Sequence, residues 1–175
     1  MPGVIVPEDW AYIDAVTGWM TEPECQWLAL MATTVCSWTE VGVNNGRSML
    51  GVGLGLRRGG LLQLVDKEFP AGFWDNWRWL RGRRPDLRIV IAECGSVEAS
   101  RVLADTHVVF LDADHETASV VEDIRRWLPK CVTLCGHDYQ PLPFPEGHQE
   151  VIDAVDQEIG KDNIDIPVGT IWWAR

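Results

Sequence analysis

The 175-residue sequence predicts an α/β fold: a doubly wound, mostly parallel sheet with helices on both faces. Two observations predict it. Short apolar runs recur along the chain and are separated by segments of helical periodicity, and several of these runs end in an acidic residue or a glycine. Such alternation indicates right-handed βαβ crossovers, and in sheets of this kind ligands bind beyond the carboxyl ends of the strands.

Five runs are apolar nearly throughout, as expected for parallel strands that are buried on both faces. They are SWTEVGV (37–43), LLQLVD (61–66), LRIVIAE (87–93), HVVFLDAD (107–114) and CVTLCGHD (131–138). The last residues, GTIWWAR, predict an antiparallel closing strand at the C-terminus, and we expect no full strand hairpin there. The expected arrangement is Rossmann-like.

Segments of helical periodicity lie between these strands, at 47–58, 70–82, 96–105, 116–128 and 147–160, and residues 8–34 predict one or two further helices. In ETASVVEDIRRWL (116–128), Val120, Ile124, Trp127 and Leu128 form one apolar face, and Asp123 is expected to lie away from it. The length favours a single domain, 1–175, with an N-terminal helical segment (1–35) and a cofactor-binding core (36–175).

Charge and composition restrict the function. The net charge of −11 disfavours nucleic acid and anionic membranes as partners. The five cysteines form no CxxC pair, which is typical of reduced, buried thiols in a cytoplasmic protein. MPGVIVPEDW lacks the features of a signal peptide, and no window reaches the roughly 18 apolar residues of a membrane span. We therefore expect a soluble, cytoplasmic protein.

Two glycine clusters follow the first strand. In EVGVNNGRS (40–48), Gly42 and Gly46 come after an acid at a strand end, where glycine permits positive φ or close approach of a ligand. In the second cluster, the GxGxxG spacing would need glycine at 56 and 58, where Leu56 and Arg58 stand. The first cluster therefore predicts a cofactor loop, and the glycines at 51, 53 and 55 predict close packing of a helix on the sheet.

EVGVNNGRS, of the form E-x-G-x-x-x-G-x-S, resembles motif I of class I S-adenosylmethionine (SAM)-dependent methyltransferases, in a small-molecule branch that includes sugar O-methyltransferases. The resemblance continues through Asp66, Gly95 and Ser96, LDADH (111–115) and GHDY (136–139), and it covers about residues 35–175. It implies SAM as cofactor and a small-molecule acceptor.

The resemblance also implies a cofactor-binding set. Glu40 and Gly42 match the loop that receives the methionine end, and Asp66 ends a strand where an acid commonly accepts ribose hydroxyls. The remaining members are Gly46 and Ser48 at the start of the next helix, Gly95 and Ser96 on the adenine side, and Asp112 beside the reactive end. The alternatives are that Glu40 caps a helix, that Gly42 is a turn glycine, that Asp66 is a surface acid, and that Ser96 is an N-cap.

The catalytic residues implied by the resemblance are His115, Asp112 and Asp138. A hydroxyl that attacks a sulfonium methyl group must lose its proton, and histidine titrates near neutral pH, so His115 is expected to act as general base. The alternative is that Asp114 and His115 form the N-terminal cap of the helix at 116–128.

Asp112, Asp138 and His137 are also expected metal ligands, for Mg²⁺ or another divalent cation; a histidine-rich set would suit zinc, manganese or iron. The metal-dependent members that the chain resembles carry two consecutive acids where this sequence has His137 and Asp138. Without a metal, these two side chains are expected to orient the acceptor or His115, and Tyr139 is expected to line the pocket.

The favoured function is SAM-dependent O-methylation of a small polar acceptor such as a sugar hydroxyl, whose choice depends on residues 139–149 and the N-terminal helices. The alternatives are a metal-dependent hydrolase that uses DADH and GHD, and a non-catalytic SAM-binding protein. FWDNWRWLRGRR (73–84) could stack nucleobases, but the net charge favours a core face with a solvated basic edge. Because Trp and Arg are enriched at interfaces, a homo-oligomer is a further expectation.

Overall fold

The computed structural model describes residues 5–140 and 148–174, and its central feature is a seven-stranded sheet. The strands are β1 (Ser37–Val41), β2 (Leu61–Asp66), β3 (Arg88–Glu93), β4 (Thr106–Leu111), β5 (Cys131–Gly136), β6 (Ile164–Val168) and β7 (Ile171–Ala174). Their order is β3-β2-β1-β4-β5-β7-β6, with parallel pairing from β3 to β5 and antiparallel pairing of β7 with β5 and β6. The predicted fold class and the antiparallel closing strand are confirmed.

Helices cover both faces of this sheet, as predicted. They are α1 (Pro7–Ala15), α2 (Glu22–Ala32), α3 (Arg47–Gly55), α4 (Ala71–Arg83), α5 (Ser96–Val102), α6 (Thr117–Trp127) and α7 (His148–Glu158). One hydrophobic core gathers side chains of α1 to α4, and a second gathers side chains of α5 to α7. The crossovers before β3 and after β3 therefore lie on opposite faces.

The strand order reverses between β1 and β4, which is where the crossovers diverge. The chain runs outward from β1 through β2 to β3 and then returns to place β4 beside β1, with Glu40 opposite Phe110. Where the helices that follow two neighbouring strands pack on opposite faces of the sheet, a crevice forms at its carboxyl edge. The fold thus brings the ends of β1, β2, β4 and β5 to one site.

The C-terminus differs from the sequence expectation, because β6 and β7 form an antiparallel hairpin. β6 is one of the two edge strands, with β3 at the opposite edge, and three of its five residues are exposed. Its sequence, IDIPV, carries an acid and a proline, which edge strands tolerate and central strands do not. The expectation of no full hairpin was wrong because β6, interrupted by an acid and a proline, lacks the continuous apolar run from which the other strands were predicted. Most of the 139–149 loop lies outside the described residues.

Helix α6 also differs in one detail of its buried face. Val120, Ile124 and Trp127 are buried as predicted, but Leu128 is 44% exposed and Asp123 only 7% exposed. Leu128 begins a 3₁₀ turn, Leu128–Lys130, that leads the chain away from the helix axis. Asp123 precedes Ile124 and lies four residues before Trp127, so it flanks the buried stripe instead of opposing it.

The glycines of the second cluster pack against helices, not against the sheet as expected. A Cβ at Gly55 would lie 2.2 Å from the Ala29 carbonyl oxygen on α2. A Cβ at Gly51 would lie 3.1 Å from the Cys25 oxygen, also on α2. Helix α3 therefore approaches α2 through its glycine face, and its backbone has no room for larger side chains there.

The predicted solvated basic edge of 73–84 is wrong for its last arginine. Arg84 is buried and donates to the carbonyl oxygens of Gly53, Leu54 and Leu56, each at 2.8 Å, while it also pairs with Asp86. The guanidinium therefore satisfies carbonyls that the end of α3 would otherwise leave without partners.

No helix among the described residues is long and apolar enough to cross a membrane. All five cysteines carry free thiols: Cys25 and Cys135 are buried, whereas Cys36 is exposed. The expectation of buried thiols therefore holds for only part of the set.

The contact between α2 and α3 gives a matched pair of predictions. Gly55→Ala should lower the free energy of unfolding by about 2 kcal/mol, because the new methyl group overlaps the Ala29 carbonyl. Gly82→Ala is the control, because a Cβ at Gly82 in α4 meets no atom within 4 Å, and it should be neutral or stabilising by about 0.5–1 kcal/mol. Urea denaturation measures both, and equal effects would contradict the packing described here.

Candidate functional site

A cavity of about 1170 Å³ opens at the carboxyl edge of the sheet. It exceeds the roughly 300–1,000 Å³ of an ordinary ligand pocket, so it has room for two molecules side by side. All but one of the residues predicted for the site line it: Gly42, Gly46, Ser48, Asp66, Gly95, Ser96, Asp112, His115, His137 and Asp138. The exception is Glu40, which is fully buried beneath the cavity.

Backbone hydrogen bonds continue beyond the strand ends and align the loops that surround the cavity. The N–H of Gly42 donates to the Val65 carbonyl at 2.9 Å, and the N–H of Asp112 donates to the Val41 carbonyl at 2.8 Å. Gly42 has φ +88°, and a Cβ there would lie 2.0 Å from the Asp112 carbonyl oxygen. Glycine is therefore required at position 42 by the approach of the β4 end.

Asp66 holds the glycine loop that follows β1. Its Oδ2 accepts the N–H groups of Val43 and Asn44, both at 2.8 Å, and Asn44 has a positive φ of 49°. Its Oδ1 has one long contact, 3.4 Å, with the N–H of Glu68. Asp66 therefore fixes the loop with one oxygen and leaves the other with acceptor capacity, so it is more than an ordinary surface acid.

Glu40 lies below the loop and is fully buried. The Ser48 hydroxyl donates to its Oε1 at 2.5 Å, whereas Oε2 has no hydrogen-bond partner in the part of the chain that the structure describes. Burial, together with the negative charges of Asp112 and Asp66, raises the pKa of Glu40 to about 8. Glu40 does not cap α3, whose N-cap is Gly46 in the left-handed conformation.

The other end of the cavity carries a histidine paired with an acid. His115 Nε2 lies 2.6 Å from Asp138 Oδ2, and the hydrogen bond raises the pKa of His115 above its ordinary value. Burial opposes ionisation of Asp138, but hydrogen bonds from His115 and His137 outweigh it and hold the pKa of Asp138 well below its usual range. Burial raises the pKa of Asp112 to about 7. The site thus contains one firmly ionised acid beside an imidazole.

Glu24 of α2, which the sequence did not indicate as a site residue, lies beneath this end of the cavity and accepts hydrogen bonds there. It is 2% exposed, and its Oε1 accepts from His137 Nε2 at 3.2 Å and from the Thr170 N–H at 2.8 Å. Its Oε2 accepts from the N–H and hydroxyl of Thr21 at 2.8 and 2.7 Å. Burial opposes its ionisation, but these hydrogen bonds lower the pKa of Glu24 to about 2.

Thr170, in the turn between β6 and β7, links Glu24 to Asp138 and Tyr139 after β5. Its hydroxyl accepts the N–H of Asp138 at 3.2 Å, and its carbonyl accepts the N–H of Tyr139 at 2.9 Å. Asp138 has a positive φ of 65°, a conformation that costs a non-glycine residue roughly 1–2 kcal/mol. The surrounding hydrogen bonds therefore hold Asp138 in a conformation that it would not adopt alone.

Tyr139 was expected to line the pocket, and this is wrong. The ring is buried, and its hydroxyl donates to Asp156 Oδ1 of α7 at 2.6 Å. The side chain therefore packs under α7, on the side of the strand end away from the cavity lining.

Three side chains could hold a cation. Asp112, His115 and Asp138 each offer a ligand atom, and these atoms lie within 4.8 Å of one another. Two carboxylates and an imidazole fit a divalent metal ion. His137, the histidine expected in this role, directs Nδ1 toward Asp138 at 3.1 Å and Nε2 toward Glu24 at 3.2 Å. His115 is thus the histidine that joins the two acids in the cluster.

The loops after β3 and β4 complete the cavity. Gly95 is the N-cap of α5 and makes no side-chain cap bond, so Ser96 is not the cap that was considered. The Ser96 hydroxyl instead accepts the indole N–H of Trp127 at 2.8 Å. Asp114 Oδ1 accepts the N–H of Glu116 at 3.1 Å, but the N-cap of α6 is Glu116, so Asp114 and His115 are not the helix cap that was considered.

No protein-family model matches the chain, and no curated protein matches its sequence. Solved structures do match. An O-methyltransferase from Bacillus cereus in complex with S-adenosylhomocysteine (SAH) is 12% identical, with a TM-score of 0.70, over 98% of this chain and 92% of that one. The O-methyltransferase TomG from Streptomyces achromogenes, in complex with SAM, is 15% identical, with a TM-score of 0.69, over 98% and 91%. The chain has the fold of these O-methyltransferases.

A third similar structure is the SAH-bound Podospora anserina methyltransferase PaMTH1, which is 12% identical, with a TM-score of 0.68, over 96% of this chain and 86% of that one. At such identities the likeness concerns the fold alone. The chemistry has to be argued from the residues in the cavity.

Glu24 gives a stability prediction. Glu24→Gln should lower the free energy of unfolding at pH 7 by about 2–4 kcal/mol, because an amide cannot accept from all the groups that donate to the carboxylate. The folded-state pKa is depressed, so this contribution is present above the unfolded value and is lost as pH falls from about 4.5 to about 2. Urea denaturation at pH 7 and pH 3 should show a smaller difference at pH 3.

The control is Glu22→Gln on the same helix, where the exposed carboxylate bonds only Gln26 among the described residues. It should change stability by less than about 0.5 kcal/mol. A Glu24→Gln variant as stable as this control would contradict the supporting role of Glu24.

Glu40 gives a prediction of opposite sign. Its folded-state pKa is raised, so wild-type stability should fall between about pH 4.5 and pH 8, because the unfolded chain ionises Glu40 in this range while the folded chain keeps it protonated. Glu40→Gln lacks this group, and relative to wild type it should gain roughly 2–4 kcal/mol between pH 5 and pH 8. Unfolding free energies measured across this range give the difference directly, and a difference independent of pH would refute the burial of an uncharged Glu40.

Proposed function

We propose that this chain is a SAM-dependent methyltransferase that O-methylates a small polar acceptor such as a sugar hydroxyl. One observation carries the proposal: a single cavity gathers the glycine loop after β1, Asp66 after β2, Ser96 after β3 and Asp112 after β4. In that order, these groups would contact the methionine end, the ribose, the adenine and the reactive end of a bound SAM molecule. The solved structures with SAM or SAH bound, which share the fold, support it.

In this proposal each part of the cofactor has its own partners. Asp66 accepts the ribose hydroxyls with the oxygen that the glycine loop leaves available. The methionine end lies against the loop at 42–46 and the start of α3, where free N–H groups favour a carboxylate. Glu40 would favour the ammonium and sulfonium charges above it, because its Oε2 has no hydrogen-bond partner among the described residues and its pKa is raised. The adenine lies beside Gly95 and Ser96.

The chemistry that a bound SAM supplies is an electrophilic methyl group on a sulfonium. His115 would accept the proton of the acceptor hydroxyl at Nδ1, because Nε2 is engaged by Asp138. Asp138 would stabilise the imidazolium that forms, and Glu24 and Thr170 would keep Asp138 in place. Most of the rate enhancement would come from positioning the reactants. Because its pKa is raised, His115 would become an effective base only as pH rises through that value.

A divalent cation, Mg²⁺ or another, is a second ligand that we propose for the same cavity. Asp112, His115 and Asp138 would hold it, and His137 would stay bonded to Glu24 and Asp138 beneath them. A bound cation would lower the pKa of the acceptor hydroxyl. Methyl transfer that EDTA abolishes and MgCl₂ or MnCl₂ restores would support the metal, and transfer unaffected by EDTA would leave His115 as the base.

The acceptor would bind under the loop between α1 and α2. Trp19 in this loop lines the cavity and is 90% exposed, whereas the other nine tryptophans are buried or half-buried. The loop is fastened to the cofactor loop, because Asn45 Nδ2 donates to the Thr17 carbonyl at 3.3 Å and Gly18 packs on Arg47. An acceptor ring packed on the Trp19 indole would bury the indole and place a hydroxyl in the cavity.

The alternatives explain less. A metal-dependent hydrolase would use Asp112, His115 and Asp138, but it gives no role to the glycine loop or to Asp66. A non-catalytic SAM-binding protein would not need the bonded His115 and Asp138. The single-domain organisation, the cytoplasmic location, a homo-oligomeric state and the absence of nucleic-acid partners remain predictions from the sequence.

Cofactor binding is the test of this proposal. Isothermal titration should show SAM and SAH binding to the wild-type chain, and Asp66→Ala should weaken both by about 10- to 100-fold through the lost ribose contact and the loosened loop. Asp75→Asn, which removes an exposed acid from α4, is the control and should bind as wild type does. If the wild-type chain gives no binding heat with millimolar SAM, the proposal is refuted.

A further inference from the structure

A buried acid in the wall of the cavity has no role in the proposed reaction. Asp123 of α6 is 7% exposed and lines the cavity, although the sequence pattern had placed it away from the apolar face. An acid this buried is rare unless it is paired. No ion pair to its carboxylate occurs within residues 5–140 and 148–174.

The contacts of Asp123 fix the direction of a short hydrogen-bond chain. The Trp127 indole can only donate, so the Ser96 hydroxyl is the acceptor of their 2.8 Å bond. The Ser96 proton is therefore free to be donated to Asp123, to which Ser96 is hydrogen-bonded. Burial raises the pKa of Asp123 to about 6, which is the behaviour of a carboxyl that lacks enough donors. Ser96 fills one acceptor position of the carboxylate, and no other donor to it occurs among the described residues, so the remaining positions can accept from a ligand.

The position of Asp123 restricts what that ligand group can be. Through Ser96 it lies next to the loop after β3, on the side of the cavity where the cofactor base belongs in the proposed function. The adenine base offers a single exocyclic donor, its 6-amino group. A carboxylate accepts from an amino group and repels a carbonyl oxygen at the same place.

We propose that Asp123, held by Ser96, accepts the 6-amino group of the cofactor base and thereby selects 6-aminopurines over 6-oxopurines. The inference rests on the proposed function and adds a base-specificity residue to it. Sites built to hydrogen-bond one group discriminate strongly against an analogue that leaves their buried polar atoms unpaired. With a 6-oxo base, the Asp123 carboxylate would face an acceptor and lose its donor.

The experiment compares SAH with S-inosylhomocysteine, which differs from it at the 6-position and N1 of the base. Isothermal titration on the wild-type chain should give a preference for SAH of at least about 30-fold. In Asp123→Asn the amide is isosteric and can present either oxygen or nitrogen, so the preference should fall to within about threefold. The control, Asp153→Asn, removes an exposed acid on α7 and should keep the wild-type preference.

Each outcome decides a different claim. If the wild type binds neither compound, the proposed function fails, whatever the role of Asp123. If the wild type binds SAH but shows no preference, or if Asp123→Asn keeps the preference, the inference is overturned. A folded Asp123→Asn chain that binds neither compound also overturns it, because one contact to the base cannot account for all binding. Should Asp123→Asn fail to fold, Asp123→Ala is judged by the same ratio.

Discussion

The parallel pairing of β1 between β2 and β4 is the constraint on which the rest of the structure depends. It aligns Val41 with both Val65 and Leu111, so the three strands end at the same level. The hydrogen bonds from the N–H groups of Gly42 and Asp112 continue this register past the strand ends. The helices that follow β1 and β4 pack on opposite faces of the sheet. The aligned strand ends therefore border an open crevice that none of the described helices covers.

The buried acids of the site fall into two groups according to their hydrogen bonds. Glu24 and Asp138 are paired with histidines and backbone or hydroxyl donors, and the pKa of each is depressed. Glu40, Asp112 and Asp123 have fewer donors, and burial raises the pKa of each. The first group holds the framework in place. The second group lies in or beneath the cavity with unmet acceptor capacity, which is what a cavity for a cationic ligand rich in N–H donors requires.

Local sequence signals predicted much of the fold and less of the site. The five parallel strands were predictable from their apolar runs, although β3 lies at an edge of the sheet and has no buried residue. The order of their polar ends predicted a cofactor loop after β1, and the glycines of that loop line the cavity. Glu24 was different: TEPE is readable as a capping box, but its contact with Thr170, 146 residues later, depends on how α2 packs against the β6–β7 turn. Asp123 was misplaced because a helical wheel gives no sharp border between buried and exposed faces. β6 was missed because its sequence has no continuous apolar run. The neighbours of Gly51 and Gly55 were missed because packing partners are not local properties of the sequence.

The most direct measurement of the central claim is a crystal structure of the chain soaked with SAH. The account predicts SAH in the cavity at the carboxyl edge, with its ribose hydroxyls within about 3.2 Å of Asp66 and its base beside Ser96. SAH bound elsewhere on the chain, or in the cavity with the ribose away from Asp66, would contradict the account.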